Sequence, residues 1–560
     1  PYFTHYGAKA PRKKGFLTPT SEFTIGGNQA LITPYYLPLG VSTDLLIKPK
    51  IYIDENFEIL TNYELNTILE KRTNGGNIKI EINNKKKSNS SNINSSFKIF
   101  TKQVIDQNKV LSASGLFTNS VSTSRSTNDE PITFEDIFKP LIPFALILIP
   151  LFLGLFYGFS TLFFSFFNPQ KNFLSILILA TAMSVFEYIR SFLFGGFPWN
   201  LIAFSFVNYL EFIQILSITG TYAFNSLVIL LFLFPTILFF NDKRKIKISI
   251  FIVSLLALFT NYFWGNLNLR QFELTEKKDL GFNIKIISPT ININRYFQNE
   301  NPNELILELI NISKPDPSIE TLFILPEGIL SSIYFEDLKK FKTLFSNNFS
   351  KKHKIILGMN INEKQKIYNS LLLVDNDLNI LQKYYKNKLV PFGEFLPFEK
   401  VLSNFGFKKI TQGYQSFSAD NRRDLIRFNN YSFIPLICYE IIYSGEINNS
   451  EKNYDFILNI SEDGWFGNSI GPYQHYSHSV FRSIEEGKPV IRSSNNGIST
   501  FINPKGQVID KILTTDKGFI EIQSFKKSNK TIFAYHGNKI FFYFMFIYIS
   551  LIFFFKIRGN

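Results

Sequence analysis

Cys438 is the one cysteine among 560 residues, and it closes an apolar run, Phe433-Ile-Pro-Leu-Ile-Cys-Tyr-Glu440. A lone cysteine forms no intrachain disulfide, so it is either a small buried hydrophobe or a reactive thiol. Two other strand-like runs also end in a titratable group. One is Thr321-Leu-Phe-Ile-Leu-Pro-Glu327; the other passes through Tyr384-Tyr-Lys386 into Leu389-Val-Pro-Phe-Gly-Glu394. A carboxylate, an ammonium and a thiol brought to the ends of buried strands could carry out acyl transfer. The carboxylate takes the thiol proton, the thiolate attacks a carbonyl, and the ammonium stabilises thiolate and oxyanion. Residue types alone leave Glu327 open as a solvated turn carboxylate. They also leave the ammonium open among Lys383, Lys386 and Lys388.

The elements that must position these groups lie between about 283 and 525. Ile284-Lys-Ile-Ile-Ser288, Leu322-Phe-Ile-Leu325, Lys354-Ile-Ile-Leu-Gly358, Ser370-Leu-Leu-Leu-Val374, Ile434-Pro-Leu-Ile-Cys438 and Phe456-Ile-Leu-Asn-Ile460 are short and mostly apolar, as strands buried on both faces are. Residues 303–313 and 335–348 read as covering helices, so this region is α/β. Before it come four apolar runs, 141–167, 173–193, 221–240 and 248–264, and a fifth at 540–555. Each approaches the ~20 residues that a hydrocarbon core requires. Asn241-Asp-Lys-Arg-Lys-Ile-Lys247 and Lys556-Ile-Arg558 are basic and belong in the cytoplasm, while 195–220 carries no Lys or Arg and belongs outside. That count puts 265–539 outside as well. Residues 1–130 alternate apolar and polar in short runs such as Asn77-Ile-Lys-Ile-Glu-Ile82, which argues for antiparallel β structure. Residues 85–96 read there as a polar loop.

Composition fits a membrane protein with a large soluble part. Phe occurs 63 times and aromatics make up 16% of the chain, while mean hydropathy is only +0.04. The net charge of +14 lies in Lys-rich loops and in clusters beside the apolar runs. With no nucleic-acid motif beside it, nucleic-acid binding is set aside.

Seven stretches occur in one order: Gly196-Phe-Pro-Trp-Asn200, Leu325-Pro-Glu-Gly328, Lys386-Asn-Lys-Leu-Val-Pro-Phe-Gly-Glu-Phe395, Ile437-Cys-Tyr-Glu440, Ser461-Glu-Asp-Gly-Trp-Phe-Gly467, Ile470-Gly-Pro-Tyr-Gln-His475 and Arg492-Ser-Ser-Asn-Asn-Gly497. Through them, residues from about 134 onward resemble the bacterial apolipoprotein N-acyltransferases, membrane enzymes with a nitrilase-type (carbon–nitrogen hydrolase) domain. The resemblance implies an αββα sandwich at 280–525, four spans at 134–266 and a last one at 539–556. It implies Cys438 as nucleophile, Glu327 as general base and Lys386 as the cation. It implies Glu394 and Glu440 as carboxylates that orient Lys386 and tune the charge of the cluster, and Tyr439, Trp465 and Phe466 along the acyl approach. The reaction it implies passes an acyl chain from a phospholipid, through a thioacyl enzyme, to the N-terminal diacylglyceryl-cysteine of a lipoprotein. No cofactor is expected, and the protein is expected to act as a monomer in the bacterial inner membrane with its catalytic domain in the periplasm. A membrane-tethered amidase with the same triad is the alternative.

Departures from the family pattern are Glu462 where Asn is usual, Lys388 where His is frequent, and Ile286-Ile-Ser-Pro-Thr-Ile-Asn-Ile293, which lacks the common Gln-X-Asn-Ile. His475 and His478 have a spacing that suits a metal, but with no third ligand evident none is expected. Gly195 and Gly196 read as a tight turn rather than a phosphate cradle. Lys14-Gly-Phe-Leu-Thr-Pro-Thr20, Pro34-Tyr-Tyr-Leu-Pro38 and Ser42-Thr-Asp-Leu-Leu-Ile-Lys-Pro49 resemble barrel strands of the outer-membrane lipopolysaccharide-assembly protein. A few such strands close no pore, so 1–130 is expected to be a fused fragment standing where the family has three further spans. By itself it would suggest a non-enzymatic assembly component.

Overall fold

The computed structural model describes paired strands between residues 15 and 122, and residues 142–559 apart from 168–171, 241, 297–300, 398, 400–415 and 448–452. Two compact units divide the chain, Pro1–Pro131 and Ile132–Asn560. In the first, β1 (Gly15–Phe16), β2 (Thr20–Glu22), β3 (Gln29–Ile32), β4 (Tyr35–Pro38), β5 (Thr43–Ile53), β6 (Ile59–Thr73), β7 (Gly76–Lys86), β8 (Asn92–Asp106) and β9 (Lys109–Ser122) pair antiparallel. From β5 to β9 they form a meander whose register sets apolar positions in rows, such as Leu69, Ile80 and Ile99. The loop expected over 85–96 is largely strand. Lys85 and Lys86 end β7 and Asn92 opens β8.

In the second unit, α1 (Ile142–Ser165), α2 (Phe173–Arg190), α3 (Leu216–Leu233) and α4 (Arg244–Glu273) precede an α/β fold. With a helix at Lys539–Gly559, they give five segments long and apolar enough to cross a membrane. Two boundaries differ from expectation. The third span begins at Leu216 and breaks at Gly220 (φ 68°), where a Cβ would overlap the ring of Phe533, so only glycine fits. The fourth absorbs Arg244, Lys245 and Lys247 into its first turns and runs on to Glu273, because a helix continues past its apolar stretch where long basic side chains reach water.

β10 (Lys277–Ser288), β11 (Thr321–Ile324), β12 (His353–Glu363), β13 (Lys366–Asp375), β14 (Ile380–Tyr385) and β21 (Gly518–Lys526) form one six-stranded sheet in the order β14-β13-β12-β11-β10-β21. The other runs in sequence order through β15 (Ile426–Phe428), β16 (Tyr431–Ile437), β17 (Phe456–Glu462), β18 (Val490–Asn495), β19 (Ser499–Ile502) and β20 (Val508–Ile512). The central pairs of each sheet are parallel. Strand periodicity assigns the faces. Ile284, Ile286, Leu322 and Ile324 meet Phe433, Ile437, Leu458 and Ile460 between the sheets. Ile287, Phe323 and Leu325 face the other way, onto Ile306, Leu309 and Ile310 of α5 (Pro302–Ser313). The helix expected over 335–348 is broken into a turn at Phe335–Leu338, a 3-10 segment, and α6 (Lys342–Asn348). On the far sheet, Ile434 and Leu436 pack on Val480, Phe481 and Ile484 of α7 (Gly471–Glu486), in a cluster that also includes Ala203, Ile213 and Leu216 beside the membrane helices. The fold is thus an αββα sandwich carried on apolar helices, with α8 (Lys539–Gly559) returning to them.

Candidate functional site

Three strand ends converge. After β11 the chain stays on β12 for another turn, with Leu325 N donating to Ile356 O (2.9 Å) and Gly328 N to Gly358 O (3.0 Å). A Cβ on Gly358 would stand 2.6 Å from Glu327 Cα, so glycine is what lets that backbone lie flat. Glu327 is 6% exposed. After β14, Lys386 N donates to Asn369 O (2.9 Å), which extends the β13–β14 pairing by one residue and sets Asn369 opposite Lys386. After β16, Cys438 takes φ 50°, a left-handed conformation costly for any residue with a Cβ and kept where surrounding contacts enforce it. It is half-buried and begins the 3-10 segment Cys438–Ile442.

Lys386, 1% exposed, donates to Glu327 Oε1 (3.1 Å) and Glu394 Oε1 (3.0 Å). Asn369 Nδ2 donates to the same two oxygens, at 2.7 and 2.6 Å. The second oxygens are also used: Glu327 Oε2 accepts from Glu462 N (3.1 Å) across the sandwich, and Glu394 Oε2 from Val390 N (2.9 Å). Burial works against the Lys386 charge, but the carboxylates of Glu327 and Glu394 outweigh it and hold the ammonium well above the ordinary lysine range. Burial pushes the Cys438 thiol up and Glu327 pushes it further, with Lys386 as the main opposing influence. Glu327 and Lys386 thus act on the charge of the sulfur in opposite directions. The other lysines are elsewhere: Lys383 pairs with Glu363 (2.6 Å) at the surface, and Lys388 with Glu446 (2.9 Å).

Glu394 accepts a hydrogen bond from the Lys386 ammonium, whereas Glu440 has no hydrogen bond to it and acts on its charge through space. Glu440 Oε2 accepts from Ile437 N (2.8 Å), while Oε1 accepts from Asn387 N (2.9 Å), Lys388 N (3.2 Å), Tyr384 OH (2.7 Å) and Arg423 Nη2 (3.1 Å). It ties the cysteine-bearing strand to the loop after Lys386. Tyr439 is buried, and its hydroxyl donates to Gly196 O (2.5 Å); Tyr443 OH donates to Gly195 O (2.6 Å). Those glycines form the tight turn read from the sequence, at φ 92° and 78°. Trp465 and Phe466 are half-buried on a single turn, Trp465 against Tyr296 (4.8 Å between ring centroids) and Phe466 against Trp199 (5.2 Å). His475 faces Asp463 and the Cys438 carbonyl, whereas His478 lies on the ring of Phe204.

Asn369, Arg423 and Arg295 were not singled out from the sequence. Arg295 forms a buried ion pair with Glu462, which also accepts from Asn495 Nδ2 (2.8 Å) and Gly464 N (2.8 Å). The departure at 462 thus has a partner within the chain. The one available signal was an acidic residue in an otherwise matching motif, which calls for a cation nearby.

Residues 322–522 match the family model for carbon-nitrogen hydrolase, and residues 130–234 match the apolipoprotein N-acyltransferase N-terminal domain. The apolipoprotein N-acyltransferase of Rickettsia typhi is 31% identical over 407 residues, which cover 71% of this chain and 79% of the relative. That of Agrobacterium fabrum is 29% identical over 439 residues, covering 74% and 79%. Among solved structures, a carbon-nitrogen hydrolase from Helicobacter pylori is 16% identical, covering 43% of this chain and 89% of its own, at a TM-score of 0.31.

Proposed function

The chain belongs to the apolipoprotein N-acyltransferase family, and from that membership we propose that it passes an acyl chain from a membrane phospholipid to the α-amine of a lipoprotein's N-terminal diacylglyceryl-cysteine. It is an enzyme with a lipid donor and a lipoprotein acceptor in a membrane. The observation that carries the lipid reading is the seat of the nucleophile. Tyr439, next to Cys438, bonds the turn that follows membrane helix α2, so the reactive sulfur adjoins the bilayer side of the fold.

In the first half-reaction Glu327 takes the Cys438 proton and the sulfur adds to an ester carbonyl of the phospholipid. The Lys386 ammonium and backbone N–H groups hold the oxyanion. The C–O bond breaks, the lysophospholipid alkoxide takes the proton back from Glu327, and a thioester remains on Cys438. In the second, the lipoprotein amine attacks the thioester and gives a proton to Glu327; the C–S bond breaks and the thiol re-forms as an amide is released. Glu394 and Asn369 keep Lys386 between the carboxylates, and Trp465 and Phe466 line the approach.

The basic residues at 241–247, between α3 and α4, and at 556–558, at the end of α8, support a cytoplasmic side for that connection and for the C-terminal end of the helical set in an inner membrane, with the sandwich in the periplasm. The test is to follow a labelled acyl chain from phospholipid in the presence of a diacylated lipopeptide. Label in the peptide amide supports transfer; label released as free fatty acid at the same rate without peptide would make the protein a hydrolase.

A further inference from the structure

Beside the general base stands a hydroxyl that has no part in the reaction above. Tyr296 ends the 3-10 turn Ile293–Tyr296, which follows β10. Its ring lies between the Arg295 guanidinium (4.8 Å from the ring centroid) and Trp465 (4.8 Å between centroids). Arg295 fastens the turn to the site: Nη2 donates to Gly328 O (3.3 Å) and pairs with Glu462, while Nη1 donates to Asn292 O (2.9 Å). The Tyr296 hydroxyl reaches the backbone next to the base, since a Cβ on Gly328, the residue after Glu327, would collide with its oxygen. A buried tyrosine hydroxyl ordinarily has a hydrogen-bond partner. This one has none among the described residues, and the residue keeps 8% of its surface open.

Glu327 Oε1 already accepts from Lys386 and Asn369, whereas Oε2 accepts from Glu462 N alone among the described residues. Oε2 therefore has room to exchange a proton with a reacting oxygen. Tyr296 lies on that side, joined to Glu462 through Arg295 and packed on Trp465 just beyond it. Burial holds the phenol well above its ordinary range, and Glu462, Glu327 and Cys438 add to this against Arg295, so the hydroxyl keeps its proton and can donate it in a hydrogen bond. We infer that Tyr296 is a further catalytic residue, whose hydroxyl donates to the glycerol oxygen as it leaves the tetrahedral intermediate on Cys438. A thiolate leaves more readily than an alkoxide, so that intermediate falls back to thiol and phospholipid unless the departing oxygen is protonated and its charge is shared. Glu327 returns the proton as the C–O bond breaks. Tyr296 shares the developing charge and keeps its own proton.

The inference rests on the acyl-enzyme reading, and three rates measured on the full chain in detergent keep the two apart. One is alkylation of Cys438 by iodoacetamide, which involves no departing alkoxide. The others are single-turnover thioester formation from a phospholipid with a radiolabelled acyl chain and from the p-nitrophenyl ester of the same acid. The p-nitrophenolate ion is a weak base that leaves without help. Tyr296→Phe removes the oxygen alone and keeps the ring between Arg295 and Trp465. In this variant the phospholipid rate should fall roughly tenfold to a hundredfold, the worth of one hydrogen bond to a charged oxygen. The p-nitrophenyl ester rate and the alkylation rate should stay at the wild-type values. An unchanged phospholipid rate overturns the inference. So does an equal fall with both donors, or a fall in alkylation, because either marks a residue that only supports the packing of the site. A wild type that alkylates but forms a thioester from neither donor overturns the acyl-enzyme reading itself.

Discussion

Replacing Lys386 by Met keeps most of the length of the side chain and removes its charge. Nζ stands 3.1 Å from Glu327 and 3.0 Å from Glu394 in a site that is almost fully buried. At an effective dielectric of about 20, each contact is worth roughly 5 kcal/mol of attraction, offset by the desolvation of three charges. Removing one member of such a buried cluster costs about 3–5 kcal/mol of stability. In the variant the two carboxylates share only the Asn369 amide. Kinetically, the loss of an oxyanion donor costs about 3 kcal/mol, or on the order of a hundredfold in thioester formation. The direction in which the thiol moves is fixed. Burial and Glu327 raise the Cys438 pKa and Lys386 lowers it, so the variant's thiol must titrate higher still. Alkylation below the pKa follows the thiolate fraction, so at a given pH it falls about tenfold for every pH unit by which the thiol's titration moves up. The assay is the iodoacetamide rate at Cys438 against pH in both proteins. The variant's curve should lie to the high-pH side and merge with wild type once both thiols are ionised. Superimposable curves would mean that Lys386 does not act on the sulfur.

Two further outcomes follow from other parts of the fold. Glu462→Gln leaves Arg295 without its carboxylate in a dry site, so the thermal midpoint in detergent should fall by an amount equivalent to about 3–5 kcal/mol; an unchanged midpoint would show that the pair is dispensable. A reporter fused after Asn560 should read as cytoplasmic, and one inserted in the exposed hairpin turn at Lys364 and Gln365 as periplasmic; the same compartment for both would refute the span count.

The sandwich was legible because its strands announce themselves. Thr321 to Ile324 and Phe456 to Ile460 are unbroken apolar runs, buried on both faces by sheet and helix. The strand ends of the site were legible for the same reason, since a titratable residue after such a run has nowhere to go but the rim. Choosing Lys386 over Lys383 and Lys388 from residue types alone was not possible. The choice depends on Glu327, 59 residues away, and on a register that sets Asn369 opposite position 386. Asn369 was passed over because an asparagine inside a strand looks like a weak point rather than a ligand of two carboxylates. The hydrogen-bond partners of Glu440, backbone N–H groups of Ile437, Asn387 and Lys388 and the side chains of Tyr384 and Arg423, come from separate segments that no local pattern links. The extent of α4 was underread because hydropathy marks where a helix meets lipid and is silent about where it ends.

The central claim is that Cys438 carries the acyl group. Intact-mass measurement of the full chain after incubation with phospholipid, without acceptor, tests it directly. The wild type should gain the mass of one acyl chain and lose it to hydroxylamine, as a thioester does, and the addition should map to Cys438. Cys438→Ser should show no hydroxylamine-labile adduct and no transfer to a diacylated lipopeptide. A wild type that transfers acyl groups with no such adduct, or a serine variant that turns over near the wild-type rate, would contradict the account.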